Sequence, residues 1–194
     1  MTTLIFATSN AHKVDEIKAF FADTPFIVQS LLDFPDIPEA PEPFETFHQN
    51  AESKAKFVQQ YTQGMVIADD SGLVVDALDG QPGVFSKRYS QEGTAEANNA
   101  KLLSNMKDVS NRTARFVCVF AIVDQEGTQY IEGICEGSIA TEYSGHGGFG
   151  YDPIFLPREF VGRSMAELSK AEKNSISHRG RALQKFKRFL LKDF

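Results

Sequence analysis

Short apolar segments alternate with helical patterns over the first third of the chain. Residues 4–7 are apolar and short enough for a buried strand, and residues 27–31, Ile-Val-Gln-Ser-Leu, are interpreted as a second strand. Residues 14–21 repeat their apolar positions with a helical period. A second helical pattern covers residues 46–61, and the four prolines of residues 34–44 exclude a regular helix in the segment before it. The pattern therefore predicts strand–helix units that are separated by a stiff, extended loop.

Longer strands are predicted in the second half. Residues 114–123 are rich in β-branched and aromatic side chains, and residues 129–140 alternate in polarity as an antiparallel partner with one solvated face would. A helix follows Thr94, and residues 164–194 are helical in pattern. An apolar stripe of Phe186, Phe189, Leu190 and Phe194 at the end of this segment is interpreted as core packing, with a partner surface as the alternative. We therefore predict a mixed α/β fold: an elongated mixed sheet flanked by helices, with two lobes and the active site in the cleft between them. No linker is evident, so residues 1–194 are predicted to form a single domain.

The stretch Met65–Gly72 is the clearest candidate for chemistry. Its apolar start predicts a buried strand that ends at Asp69 and Asp70, with a further strand from Leu73. Two adjacent carboxylates repel each other, so a cation or a proton is expected beside them. The alternative is an ordinary Asp-Ser-Gly turn after a strand.

Composition limits the possible partners. The chain has 194 residues, 42% of them hydrophobic, and a net charge of −6. An acidic chain of this size is expected to have a substantial core and no general affinity for nucleic acid. Cys118 and Cys135 lie in apolar segments without metal-ligand spacing and are interpreted as core residues. We see no signal peptide or membrane segment, so we expect a cytoplasmic protein with no membrane partner.

Three further segments suit the parts of a nucleotide. The polar loop of residues 8–13 precedes a helix that Ser9 or Asn10 can cap. The loop can bind phosphate, although helix capping alone would explain it. Residues 147–155 place aromatic rings in a glycine-rich loop, which suits a flat base or a core loop. Residues 170–181 concentrate Lys, Arg and one His, which suits phosphate or a solvated face. Together with the carboxylates, these segments indicate a nucleotide-binding protein.

The same segments resemble the inosine triphosphate pyrophosphatase family over nearly the whole chain. The matching motifs are Thr8–Lys13, Thr46–Ala51, Ala68–Leu73, Pro82–Ser90, Gly147–Phe155 and Ser177–Gly180. The resemblance implies Mg²⁺-dependent hydrolysis of the α–β phosphate bond of non-standard purine nucleoside triphosphates (ITP, dITP and XTP), giving the monophosphate and pyrophosphate. It also implies a homodimer.

The resemblance implies a role for individual residues. Asp70 would be the general base and a metal ligand, and the loop of residues 34–44 would supply a second ligand. Where many relatives have paired glutamates followed by glycine, this chain has Pro41-Glu42-Pro43-Phe44, so Glu42 is the metal candidate and Glu39 the second choice. Asp69 is left as a supporting group of unspecified role. The residues implied to bind substrate are Thr8, Ser9, Asn10, Ala11, His12, Lys13, Ser71, Phe149, Gly150, Tyr151, Asp152, Lys173, His178 and Arg179.

Within this set, residues 8–13 would hold the phosphates, with Lys13 and Lys173 opposing their charge. Residues 149–152 would enclose the base, and His178 with Arg179 would donate hydrogen bonds to its edge. Such donors favour a 6-keto over a 6-amino purine, because adenine presents hydrogens where donors already point. Two alternatives stay open: a pyrophosphatase of the related septum-associated type that acts on dTTP or UTP, and a non-catalytic nucleotide-binding module.

Overall fold

The computed structural model describes residues 2–191, except the side chain of His12. It confirms the predicted mixed α/β fold, with helices beside one sheet. The strands are β1 (Thr3–Phe6), β2 (Ile27–Ser30), β3 (Met65–Val75), β4 (Thr113–Val123), β5 (Thr128–Ile139) and β6 (Phe155–Pro157). The α-helices are α1 (Ala11–Phe21), α2 (Phe47–Gln59), α3 (Ala95–Asn105), α4 (Lys170–Ile176) and α5 (His178–Leu190).

The sheet is mixed, as the sequence predicts. Its strand order is β2-β1-β3-β4-β5-β6. β1 is parallel to both β2 and β3, whereas β5 is antiparallel to β6. β4 and β5 are neighbours joined by residues 124–127, a connection too short for anything but an antiparallel pair.

The residues divide into two compact units. Unit 1 comprises residues 1–70, 119–132 and 182–194, and unit 2 comprises residues 71–118 and 133–181. That the two units form a single domain, with a cleft between two lobes, stays a prediction.

An aromatic cluster fills the core of unit 1. The ring of Phe6 in β1 lies 6.2 Å from Phe21, 6.5 Å from Phe120 and 6.1 Å from Phe186. Each of these rings is at most 3% exposed. Phe186 belongs to the apolar stripe of the C-terminal helix, so core packing explains that residue; Phe194, at the end of the stripe, lies outside the described residues.

Unit 2 has its own core, built where β3, β4 and β5 meet α3 and the segments that follow β5. Its centre includes the rings of Phe116 and Phe155, 4.6 Å apart. Leu102 and Met106, from the end of α3, are fully buried against this cluster. Cys135 is buried there as well, which confirms its interpretation as a core residue, and burial raises the pKa of its thiol to about 12.

One sequence prediction about the sheet is wrong. The strand that was expected to end at Asp69 and Asp70 continues as β3 from Met65 to Val75, so no separate strand begins at Leu73. The preference of these residue types for a turn is outweighed here, because the side chains of both carboxylates have cationic or amide partners beside the strand. The two acids therefore lie within a strand and not in a turn.

Within the described residues, the longest helices have 13 residues, and none is long and apolar enough to span a bilayer.

Candidate active site

The carboxyl end of β1 and the middle of β3 beside it create the setting for the predicted site in unit 1. The chain passes from β1 through α1 to β2 on one side, then through α2 back to β3 on the other side of β1. Because such crossovers are right-handed, the reversal puts α1 and α2 on opposite faces of these strands. Open parallel sheets bind ligands at this kind of switch point.

Asp69 and Asp70 extend beyond the end of β1 at this point, since Phe6 pairs with Ile67. Consecutive residues of a strand direct their side chains to opposite faces. Asp69 accordingly meets Lys13 at the start of α1, whereas Asp70 meets side chains of α2. The alternation of one strand thus assigns the two adjacent carboxylates to different partners.

Asp69 has a defined partner, which sequence reasoning left open. The Lys13 ammonium lies 2.7 Å from Asp69 Oδ2, and the Asp69 side chain is only 9% exposed. This ion pair holds Lys13 beside the loop of residues 8–13. Asp69 is therefore suited to positioning a cation that faces phosphates.

Asp70 is buried against α2. The Asn50 amide Nδ2 donates to Asp70 Oδ2 at 3.1 Å, and the Lys54 ammonium lies 4.0 Å from Asp70 Oδ1. The two carboxylate oxygens therefore lie in different surroundings: one faces an amide and the other faces a cation.

Lys54 collects several oxygens around one ammonium group. Its Nζ lies 2.7 Å from Glu42 Oε1 and donates to the Asp69 carbonyl at 2.5 Å. Burial alone would lower the pKa of Lys54, but the carboxylates of Asp69, Asp70 and Glu42 outweigh it and raise the pKa. We call Lys13, Glu42, Lys54, Asp69 and Asp70 the lysine–carboxylate cluster.

The loop of residues 8–13 is organised as an N-terminal cap for α1. Asn10 is the capping residue, and its Oδ1 accepts from the Lys13 backbone N–H at 3.3 Å. Thr8 Oγ1 accepts from the Asn10 N–H at 3.3 Å. The prediction that Ser9 or Asn10 caps the helix is thereby resolved in favour of Asn10. A helix start of this kind, with a lysine beside it, is chemically suited to an anion.

The predicted magnesium ligands were Asp70 and Glu42. Among the described residues, no set of three or more His, Cys, Asp or Glu side chains is arranged to hold a metal ion. Mg²⁺ keeps several waters, however, and needs only one or two protein carboxylates when phosphates supply further oxygens. Carboxylate oxygens of Glu42 and Asp70 both face the Lys54 ammonium group. These two carboxylates therefore fit a Mg²⁺ ion that the substrate phosphates also ligate. Glu42 forms an ion pair with Lys54 at 2.7 Å, and the choice of Glu42 over Glu39 as the metal ligand stays a prediction.

In unit 2, the aromatic loop of residues 147–152 is held by its own buried carboxylate. Asp152 Oδ2 accepts from the Phe149 N–H at 2.7 Å, and a Cβ at Gly148 would overlap the same carboxylate. Tyr151 is buried and its hydroxyl donates to the Ser86 carbonyl at 2.8 Å. Phe149 is different, because its ring is 66% exposed and available for stacking.

Lys173 belongs to this loop's surroundings. Its ammonium is hydrogen-bonded to Asp152 and lies 4.4 Å from the centroid of the Phe149 ring. Three of the predicted substrate residues of unit 2 therefore lie together: an exposed ring, a buried carboxylate and a lysine between them. The predicted phosphate role of Lys173 stays a prediction.

His178 and Arg179 begin α5. The His178 ring stacks on Phe116, with centroids 5.0 Å apart and planes 15° from parallel, and Arg179 is buried. Ser177 supports the same turn, because its Oγ accepts from the Gly180 N–H at 3.0 Å. The stacked imidazole has a fixed ring plane, which suits directional hydrogen bonding.

Sequence reasoning missed Asn50 and Lys54 as functional residues. It used the segment around Lys54 only for its helical period. The available signal was the spacing of four, which places both polar side chains on one face of α2 beside the small residues Ala51 and Ala55. Both alanines are fully buried, so the polar pair is carried by a face of the helix that packs inward.

Comparison with known proteins gives one consistent result. Residues 4–189 match the model of the Ham1 family. The chain is 50% identical to the dITP/XTP pyrophosphatase of Geobacter sulfurreducens, covering 100% of this chain and 96% of that protein. It is 47% identical to the dITP/XTP pyrophosphatase of Shouchella clausii, covering 96% of each.

Solved structures agree with the sequence matches. The chain is similar to a HAM1 protein from Coxiella burnetii, with a TM-score of 0.93, 37% identity and coverage of 99% of this chain and 100% of that chain.

Proposed function

The chain belongs to the Ham1 family, and from this membership and the lysine–carboxylate cluster we propose that it is a nucleoside-triphosphate pyrophosphatase. It hydrolyses the α–β phosphate bond of ITP, dITP and XTP to the monophosphate and pyrophosphate, which keeps these nucleotides out of DNA and RNA. The observation that carries the proposal is the placement of Asp70 beside Lys54 and Glu42 at a switch point of the sheet. The names of the curated relatives favour purine substrates over dTTP or UTP.

Asp70 is proposed as the general base. It accepts a proton from the water that attacks the α-phosphorus, and we assign this step to Oδ1, the oxygen on the Lys54 side. Lys13 and Lys54 offset negative charge on the phosphates as the pyrophosphate leaves. Glu42 and Asp70 would hold Mg²⁺, which when bound would neutralise phosphate charge and polarise the attacking water.

Recognition of the base is proposed for unit 2. The exposed Phe149 ring provides a stacking surface, and Asp152 fixes the backbone that carries it. His178 and Arg179 are proposed as donors to the 6-keto oxygen. This part of the proposal rests on the family resemblance together with the exposure of Phe149.

A substrate panel tests the proposal. Purified protein is incubated with ITP, dITP, XTP, dTTP, UTP and the four common ribonucleoside triphosphates, with and without Mg²⁺, and pyrophosphate release is measured. We expect rapid release from ITP, dITP and XTP that requires Mg²⁺. Fastest release from dTTP or UTP would favour the septum-associated type, and binding of ITP without turnover would favour a non-catalytic module.

We also propose a cytoplasmic homodimer, which rests on the family resemblance and on the nature of the substrates. Light scattering at micromolar concentration tests the assembly: a mass of twice 21.5 kDa supports the dimer, and a mass of 21.5 kDa refutes it.

A further inference from the structure

Asn50 of α2 makes three side-chain hydrogen bonds in a buried position. Only 1% of the residue is exposed. Its Oδ1 accepts from the Phe44 N–H at 2.9 Å, and its Nδ2 donates to the Phe44 carbonyl at 3.0 Å and to Asp70 Oδ2 at 3.1 Å. One side chain therefore joins Asp70 to the proline-rich loop that carries Glu42.

The backbone fixes the orientation of this amide. Because the Phe44 N–H can only donate, the atom facing it must be the amide oxygen, which leaves Nδ2 toward Asp70. Asp70 Oδ2 is thus held by a neutral donor, while Oδ1 lies on the side of Lys54. An aspartate at position 50 would lose both donated bonds and would bring a second carboxylate against Asp70.

Phe44 extends the same connection to Glu42. Both of its backbone polar groups are bonded to Asn50, and Glu42 lies two residues earlier, where its carboxylate meets Lys54. Asn50 and Lys54 are one turn apart on α2. Side chains on a single face of the helix therefore hold both Phe44 and Glu42.

We propose that Asn50 is a positioning residue for the hydrolysis: it selects Oδ1 of Asp70 as the reacting oxygen and holds the Glu42 loop in register with it. The inference rests on the proposed function and deepens it. Asn50 acts through Asp70 and Glu42. Its loss should therefore lower kcat while leaving the KM for ITP nearly unchanged.

Asn98 of α3 provides a matched control. It is also buried, at 4% exposure, and its Oδ1 accepts from the Ser90 N–H at 2.6 Å while its Nδ2 donates to the Lys87 carbonyl at 3.1 Å. It therefore repeats the contacts of Asn50 to a backbone segment, but its side-chain hydrogen bonds, to Ser90, Lys87 and Ser86, are all to backbone groups. Asn98→Ala tests what loss of a buried asparagine does by itself.

The experiment compares Asn50→Ala and Asn98→Ala in the full chain with Mg²⁺ and ITP. We expect kcat to fall about 10- to 100-fold in Asn50→Ala, with KM within about 2-fold, and kcat to stay within about 2-fold in Asn98→Ala. Hydrogen exchange checks each variant: the Phe44 amide should lose protection only in Asn50→Ala, and the Ser90 amide only in Asn98→Ala.

A second measurement covers the case in which Asn50→Ala does not fold. The thermal midpoints of Asn50→Asp, Asp70→Asn and the double variant form a cycle. We expect the double variant to be more stable than Asn50→Asp, because an amide again faces a carboxylate, yet to remain inactive because the carboxylate is at position 50.

Three results would overturn the inference. The first is a kcat for Asn50→Ala within 2-fold of wild type despite the loss of Phe44 protection. The second is an equal loss of kcat in the two alanine variants. The third is a double variant whose change in thermal midpoint equals the sum of the changes in the two single variants. A wild-type protein that releases no pyrophosphate from any nucleotide of the panel would instead refute the proposed function, and this inference with it.

Discussion

The lysine–carboxylate cluster of unit 1 and the aromatic loop of unit 2 are built in different ways. In the cluster, Asp70 is 8% exposed, lies in an 11-residue strand and is held by side chains of a 13-residue helix. In the loop, Phe149 is 66% exposed, and its neighbours Gly148 and Gly150 both have positive φ angles. One region is fixed by regular structure, and the other is a glycine-rich turn held by the Asp152 carboxylate and by the bond of the Tyr151 hydroxyl to the Ser86 carbonyl.

The difference matches the two demands of the proposed reaction. Proton transfer requires reacting atoms within a few tenths of an ångström of their productive positions, which strands and helices provide. Stacking on a ring tolerates small displacements better, because the contact is spread over the whole ring face. We therefore expect substitutions in the cluster to change kcat, and substitutions in the loop to change KM.

Lys54→Met should have the largest effect. It leaves Glu42 and Asp70 without the ammonium that separates their charges, and it removes a cation that is proposed to offset phosphate charge. We expect kcat for ITP to fall by about 100-fold, measured as pyrophosphate release at saturating substrate.

Lys56→Met is the matched control for that substitution. Lys56 lies on the same helix, is paired with Glu52 at 2.7 Å and has 58% of its side chain exposed. Its kcat should stay within 2-fold of wild type. Equal losses of kcat in the two variants would show that the total charge of α2 matters and that the position of Lys54 beside Asp70 and Glu42 does not.

Phe149→Ala should have a smaller effect of a different kind. Loss of one stacked ring is expected to raise the KM for ITP about 10-fold and to change kcat less than 3-fold. Phe85→Ala is the control, since Phe85 is 50% exposed and also has a cation over its ring, Arg88 at 5.4 Å. A fall in kcat with constant KM in Phe149→Ala would contradict the division between the two regions.

Glu172→Gln should have the smallest effect. The Arg163 guanidinium, together with Ser169 at the start of α4, lowers the pKa of Glu172 to about 2 from an ordinary value of 4.5. A lowered folded-state pKa means that the contribution to stability is present above pH 4.5 and is lost as the pH falls toward 2.

Thermal midpoints of unfolding, measured between pH 7 and pH 2, test the direction of this pH dependence. The midpoint of Glu172→Gln should lie below that of wild type at pH 7, and the difference should shrink as the pH falls below 4.5. Glu126→Gln, in the exposed turn between β4 and β5, is the control for removal of one surface carboxylate. A difference that grows toward low pH would contradict the assignment.

Local patterns predicted much of the fold because local chemistry determines it. The start of α1 could be placed at Ser9 or Asn10, since only a side chain that accepts a hydrogen bond caps a helix there. The four prolines likewise indicated a loop over residues 34–44. The continuation of β3 through Asp69 and Asp70 was not predictable, because it depends on partners that are distant in sequence, 56 residues away for Lys13.

The candidate site could likewise be predicted only where the signal was local in sequence. Asp70 stood out by its residue type beside an apolar run, but Lys54 and Asn50 resembled ordinary members of a surface helix. Only the crossover of α2 shows that their face meets Asp70 and Glu42. The pairing of Lys173 with Asp152 was missed for the same reason, since the two residues are 21 positions apart.

The most direct test of the account is the kcat of Asp70→Asn for ITP, measured beside Asp69→Asn. The amide at position 70 keeps the shape of the side chain but cannot accept the proton, so kcat should fall about 10²- to 10⁴-fold. Asp69→Asn should lose less activity, mainly through a higher KM, because it releases Lys13 and leaves the base intact. A kcat for Asp70→Asn within 2-fold of wild type, or a larger loss in Asp69→Asn, would contradict the central claim that Asp70 is the base.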